Sequence, residues 1–127
     1  MASPPTDQER AALREHLLAE RVTAERRLTE LERTFDELVA AADLEPPDDE
    51  HDPDGTTAYE RAQVISLAAA TRARRDELDR ALAAIDGGGR YGICERCGGP
   101  IGVERLEALP GTTRCVTCAA HGGPAAP

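Results

Sequence analysis

Lysine and tryptophan are absent from this 127-residue chain, and only three aromatic side chains occur: Phe35, Tyr59 and Tyr91. So little aromatic volume argues against a large mixed core, and the abundant alanine and leucine suit helix packed on helix. No apolar run reaches the roughly eighteen residues a membrane-spanning helix needs. The chain also lacks a basic start followed by a short apolar stretch, so a soluble, cytoplasmic protein is expected, with no membrane partner. All fifteen basic residues are arginine, which with the alanine content reads as coding bias rather than chemistry.

Positive charge is scarce as well. The net charge is −9, and seven acids with no base fall at Asp43, Glu45, Asp48, Asp49, Glu50, Asp52 and Asp54, leaving −2 for the rest of the chain. A protein that wraps nucleic acid carries the opposite footprint, so sequence-specific DNA is not an expected partner.

Glycine and proline are missing from Thr6 to Asp43. Thr6-Asp7-Gln8-Glu9 is a capping box, in which the threonine oxygen and the glutamate carboxylate each accept a backbone N–H. It opens a helix whose Leu17, Ala24, Leu28, Leu31, Phe35, Leu38 and Ala42 recur at steps of four and three, interrupted by Arg21. That is a heptad seam, which calls for a partner helix. Pro46, Pro47, Pro53 and Gly55 then forbid helix. Thr57-Ala58-Tyr59-Glu60 reads as a second capping box, and its helix runs to Asp86 before three consecutive glycines. Leu78, Leu82 and Ile85 mark the seam of this helix at its end, whereas Val64 to Ala70 is apolar nearly all round.

These signals predict a mainly α chain: a long antiparallel helical hairpin (coiled coil) over 6–86 with an acidic tip at 43–56. A small C-terminal four-cysteine zinc-finger module follows at 87–120, with disordered ends at 1–5 and 121–127. A second helix of roughly thirty residues, at ~1.5 Å each, sets a paired length near ~45 Å.

Four cysteines form two Cys-x-x-Cys pairs, Cys94/Cys97 and Cys115/Cys118, with seventeen residues between them. Two intervening residues let both thiolates of a knuckle face one ion, and the spacer brings the second pair round to it. Gly98 follows Cys97, where a knuckle often needs positive φ. Disulfides suit a secreted chain, and a redox pair needs a βαβ setting that the flanking sequence does not supply. One structural Zn²⁺ is therefore expected on Cys94, Cys97, Cys115 and Cys118. Four sulfur ligands leave no open coordination position, and no nucleophile, base and orienting group can be placed together, so no enzyme is expected.

Around the cysteines the chain reads Tyr91-Gly92, Cys94, Cys97-Gly98, Ile101, Arg105-Leu106-Glu107-Ala108, Pro110 and Cys115-x-x-Cys118. This resembles the DksA/TraR family of bacterial zinc-finger transcription regulators, over about Asp48 to Cys118. The resemblance implies a monomer that binds bacterial RNA polymerase without reading DNA sequence. It inserts its helical prong into the secondary channel, and its acidic tip approaches the active centre. The alarmone ppGpp often acts jointly at the polymerase. The tip signature of the family, Asp-x-x-Asp-x-Ala, falls on Asp49, Asp52 and, in place of alanine, Asp54. Longer members carry a helix after the last cysteine, where this chain shows Ala119, Ala120 and a Gly/Pro tail.

Two other readings stay open at this stage. A zinc ribbon with four cysteine ligands can bind nucleic acid, although the module here carries a net charge of only about +1 with one aromatic. A coiled-coil adaptor that dimerises is the other, motivated by the apolar stretch from Val64 to Ala70.

Overall fold

The computed structural model of the chain describes residues 4–44, 56–87 and 90–121. Asp49, Asp52 and Asp54 lie outside the described residues, as do 1–3 and 122–127 of the expected disordered ends. Four helices make up the fold: α1 (Asp7–Leu44), α2 (Thr56–Asp86), α3 (Val103–Ala108) and α4 (Val116–His121). Among the described residues there is no strand, only an isolated bridge between Ile93 and Pro100. The chain is thus mainly α, with two long antiparallel helices and the four cysteines clustered after them.

The first capping box forms as its sequence dictates. Glu9 N donates to Thr6 Oγ1 at 3.1 Å, and Thr6 N donates back to Glu9 Oε1 at 3.0 Å. Two of the N-terminal donors that a helix cannot satisfy internally are thereby paired. The second box is displaced. Helix α2 already begins at Thr56, so Thr57 lies inside its first turn rather than at the cap.

The described residues form two compact units. The first joins the residues up to Arg21 with those from Asp76 onward, bringing the start of α1, the end of α2 and the cysteine module into one body. Leu13, Leu17 and Leu78 are wholly buried there, with Ala81, Leu82 and Ile85 beside them. The pairs Arg14–Asp86 (2.7 Å) and Arg21–Asp79 run antiparallel. Helix α2 has no basic residue in its last turn, and α1 supplies the charge its C-terminus favours. Arg10 Nη2 donates to the Ile85 carbonyl at 3.0 Å, meeting an acceptor the helix leaves open. Pro4 and Pro5 of the expected disordered start are described, and Pro5 packs against Gly92.

The second unit, Val22–Arg75, is a two-helix layer. Ala24 and Leu28 from α1 meet Val64, Ala68 and Thr71 from α2 in its interior. Leu31, Phe35, Leu38 and Ala42 continue the seam half-buried. Spacing alone left the facing side of Val64 to Ala70 open, and the fold settles it. Val64 and Ala68 face inward, whereas Ile65 and Leu67 are exposed. The α2 seam then reads Val64, Ala68, Thr71 and Arg75, at steps of four and three. Arg75 Nη1 reaches Glu25 Oε1 at 3.5 Å, and Thr71 Oγ1 donates to the Leu67 carbonyl at 2.8 Å, which satisfies its hydroxyl inside the layer.

Candidate metal centre

The first knuckle sits at the turn of a minimal hairpin. Ile101 N donates to Gly92 O at 2.8 Å and Cys94 N to Gly99 O at 2.7 Å, holding the two short arms together. The chain reverses at Gly98, whose φ of +76° is the left-handed backbone that the sequence anticipates there. Gly98 N closes the turn on the Cys94 carbonyl at 2.9 Å, and Gly99 N donates to Cys97 Sγ at 3.4 Å.

The second pair is built differently. Cys115 immediately precedes α4, and Cys118 lies one turn inside it, with Ala119 N donating to Cys115 O at 2.9 Å. Three residues of helical advance put both sulfurs on one face. Sequence spacing gave the pair but not this helix. It also extends to His121, which the sequence assigned to the tail.

The four Sγ atoms lie within 4.8 Å of one another, and those of Cys97 and Cys115 are 3.9 Å apart. A tetrahedral Zn²⁺ with Zn–S bonds of about 2.3 Å requires sulfurs about 3.8 Å apart. The donor set and its dimensions therefore fit one zinc ion. Cys94 and Cys118 are buried, Cys115 is half-buried and Cys97 is exposed.

The thiols are tuned in opposite directions. Backbone N–H groups of Cys97 and Cys115 stabilise charge on the Cys94 sulfur and hold its pKa down to about 6. Cys115 is lowered chiefly by the backbone N–H of Cys118. Burial, reinforced by the neighbouring thiols, pushes Cys118 up to about 12. Such a cluster does not gather four negative charges unaided, and a divalent cation is what replaces the last protons.

Residues between the knuckles hold the second pair in place, and this answers why the Arg105-Leu106-Glu107-Ala108-x-Pro110 run has its spacing. Leu106 and Pro110 are wholly buried. Arg105 Nε donates to the Arg114 carbonyl at 3.0 Å, and Arg114 Nε reaches back to Glu95 Oε1 at 3.1 Å. Thr112 Oγ1 donates to the same Arg114 carbonyl, at 3.1 Å, while Glu95 N donates to Thr113 O at 2.8 Å, tying the loop before Cys115 to the first knuckle. Tyr91 Oη donates to Pro110 O at 3.3 Å, and its burial raises the phenol pKa to about 12.

One anchoring contact has no sequence signature. Gly111 N donates to Glu77 Oε1 of α2 at 3.0 Å, and any side chain at 111 would strike the Glu77 Cγ. A solvent-exposed glutamate within a helix reads as surface from sequence. Only the docked loop reveals its task.

A family model described as the prokaryotic dksA/traR C4-type zinc finger matches residues 89–120. An uncharacterized protein of Aquifex aeolicus is 42% identical over 65 residues, which are 51% of this chain and 44% of that protein. The uncharacterized protein YteA of Bacillus subtilis is 45% identical over 58 residues, 46% of this chain and 24% of that one. The chain thus spans less than half the length of each of these relatives. Among solved structures, that of the transcription factor DksA2 from Pseudomonas aeruginosa matches with a TM-score of 0.75 at 25% identity. The match covers 91% of this chain and 84% of that one. The zinc-finger match falls on the cysteine cluster itself, so the cofactor is one structural Zn²⁺ held by Cys94, Cys97, Cys115 and Cys118. A zinc finger of this type, on a fold shared over nearly the whole chain with DksA2, makes the protein similar to the DksA/TraR family.

Proposed function

We propose that the chain is a DksA/TraR-type transcription regulator that binds bacterial RNA polymerase through its secondary channel. The observation that carries this reading is the fold match to the transcription factor DksA2 over 91% of the chain. In this reading the zinc module is a structural base. The acidic turn between α1 and α2 delivers Asp49, Asp52 and Asp54 toward the polymerase active centre. Carboxylates on a narrow helical pair are attracted into a basic, metal-containing funnel, and exclusion of water there strengthens the attraction. Their oxygens are also the ligand type that Mg²⁺ accepts. ppGpp at the polymerase interface is the accompanying ligand to test, and the regulator acts as a cytoplasmic monomer with no catalysis of its own.

A nucleic-acid-binding role for the zinc module has less support. Of its four arginines, Arg105, Arg114 and Arg96 are engaged internally, the last through Nη1 to Cys118 O at 3.5 Å. That leaves little free positive charge for phosphates. No described helix is long and apolar enough to cross a membrane.

Co-purification with bacterial core polymerase at low salt tests the reading, and no association would remove it. In-vitro transcription should then be run with the wild type and with Asp49, Asp52 and Asp54 replaced by asparagine, with and without ppGpp. Polymerase binding is expected to persist in the variant while the effect on transcription is lost. A variant that regulates as well as the wild type would take the acidic turn out of the mechanism.

A further inference from the structure

The Val22–Arg75 layer has two broad faces, and one of them carries an apolar groove. The groove, of about 360 Å³, lies between the helices. Leu31 and Phe35 of α1 and Val64, Ile65 and Ala68 of α2 line it, with Glu32, Asp36 and Arg72 at its rim. Ile65 is 55% exposed, and Val39, four residues beyond Phe35 on the same side of α1, is 36% exposed. A large β-branched side chain at the lip of an apolar groove gains from a cover.

The charges beside the groove indicate which cover. On this side of α1, Glu32, Asp36 and Asp43 recur at steps of four and seven, and all three are exposed. On the same side of α2 the charged residues within this unit are Arg61 and Arg72, flanking Ile65 at steps of four and seven. One edge of the groove is therefore acidic and the other basic. Glu32 and Arg72 also lie level with each other, since Arg72 Nη2 reaches Glu32 Oε1 at 3.6 Å across it.

A face with one acidic and one basic edge is complementary to itself under a two-fold rotation about an axis parallel to the helices. That rotation lays α1 of one copy against α2 of the other without changing height, so Arg72 of the second copy comes beside Glu32 of the first, and the reverse. Charges then alternate around a four-helix layer, with the Phe35 and Ile65 side chains of both copies enclosed. Rotation about an axis perpendicular to the helices would instead set acidic edge against acidic edge. We propose that this face is a self-association surface, on which a second copy of the chain packs by that rotation into a weak, reversible dimer. This goes beyond the polymerase-binding reading, in which the protein acts as a monomer, and does not depend on it.

Sedimentation equilibrium of the zinc-loaded full chain, from low micromolar to several hundred micromolar, tests the proposal. The mass is expected to rise from 13.6 kDa toward twice that value with increasing concentration. Ile65→Asp, at an exposed position, should abolish the rise with unchanged helical circular dichroism. Asp36→Arg should weaken association at least tenfold by setting like charges against the basic edge. The paired exchange Glu32→Arg with Arg72→Glu keeps the ion pair within each copy and the alternation between copies, so it should retain association. A monomer at every concentration overturns the proposal. So does a dimer that Ile65→Asp leaves intact, or one in which Asp36→Arg and the paired exchange behave alike. None of these outcomes bears on polymerase co-purification, so the two readings can fail separately.

Discussion

The unit that contains the cysteines and the paired helices of Val22–Arg75 obey the same heptad pattern but bury it to different depths. Leu13, Leu17, Leu78, Leu106, Pro110 and Cys94, the largest wholly buried side chains described, all belong to the cysteine-containing unit. In the Val22–Arg75 unit the deepest positions are Ala24, Leu28, Val64, Ala68 and Thr71, each still 5% exposed or more. Two helices alone enclose a single stripe of side chains, so large residues such as Phe35 remain open along one flank. Where the residues after α2 join the start of α1 and the end of α2 in one body, the same stripe becomes part of a closed core. Stability is therefore concentrated in the unit that holds the metal site, and the Val22–Arg75 unit offers surface rather than core.

Metal removal should break this contrast most severely. A zinc site with four thiolate ligands contributes on the order of 10 kcal/mol of folding free energy. Chelation, or Cys94→Ser, is expected to abolish amide protection across 90–121 while much of the helical circular dichroism remains. Hydrogen exchange read by mass spectrometry resolves the two units separately. If the helical signal collapses with the metal, Val22–Arg75 has no stability of its own and the contrast is wrong.

Core truncations come next in size. Leu78→Ala removes a wholly buried side chain from a site that cannot collapse freely, at a cost of about 3 kcal/mol. Leu31→Ala, at a half-buried seam position, should cost about 1 kcal/mol, because part of that side chain already faces water. Urea denaturation of the zinc-loaded protein measures both. Equal losses would mean that the seam of the second unit is as well packed as the first.

Much of this contrast was legible in the residues. The run from Leu17 to Ala42 encodes the α1 seam, and Leu13, one step earlier, extends it. Arg21 read as an interruption because a period count has no term for a partner. In the structure Asp79 supplies one. The centre of α2 stayed ambiguous for a related reason. Val64, Ile65, Leu67 and Ala68 satisfy a hydrophobic count on any face, and only the neighbouring helix selects Val64 and Ala68. The metal site was the most legible part, since Cys-x-x-Cys spacing encodes a local geometry. Its supports were less so. Arg105, Leu106 and Pro110 were visible as a signature without a role, and Glu77 as nothing at all, because the loop that needs it lies thirty-four residues away. The tip aspartates Asp49, Asp52 and Asp54 lie outside the described residues, so their role rests on the proposed function.

A smaller effect is expected at Tyr91. Tyr91→Phe removes the hydrogen bond to Pro110 O and should cost about 1 kcal/mol. The phenol also predicts an alkaline limit for the zinc-bearing unit. Its pKa is raised in the fold from 10 to about 12, so below pH 10 it is protonated in both folded and unfolded chains and adds no pH dependence. Between pH 10 and 12 the unfolded chain loses this proton and the folded one keeps it, so stability falls as pH rises. Ultraviolet titration at alkaline pH should show a late phenolate step near 12 that is missing in Tyr91→Phe. A Tyr91 step at its ordinary value of 10 would mean the ring is more open to water than its packing indicates.

The smallest expected effect lies in the Arg14–Asp86 pair, in the same unit but on its surface. The hydrogen bond from Arg14 lowers the Asp86 pKa below its ordinary 3.8. A carboxylate lowered in the fold adds stability above its unfolded pKa, and that contribution disappears as pH falls through the folded value. About half of each side chain is open to solvent (46% and 52%), so water and salt screen the attraction and the effect on stability should be near the limit of measurement. The titration itself is the sharper reading. Carbonyl-detected NMR should find Asp86 titrating below 3.8 in the wild type and moving up in Arg14→Gln, with the shift shrinking as salt is added. A shift that salt leaves unchanged would place this pair in a drier setting than its exposure allows, extending the closed core of the zinc-bearing unit out to the last turn of α2.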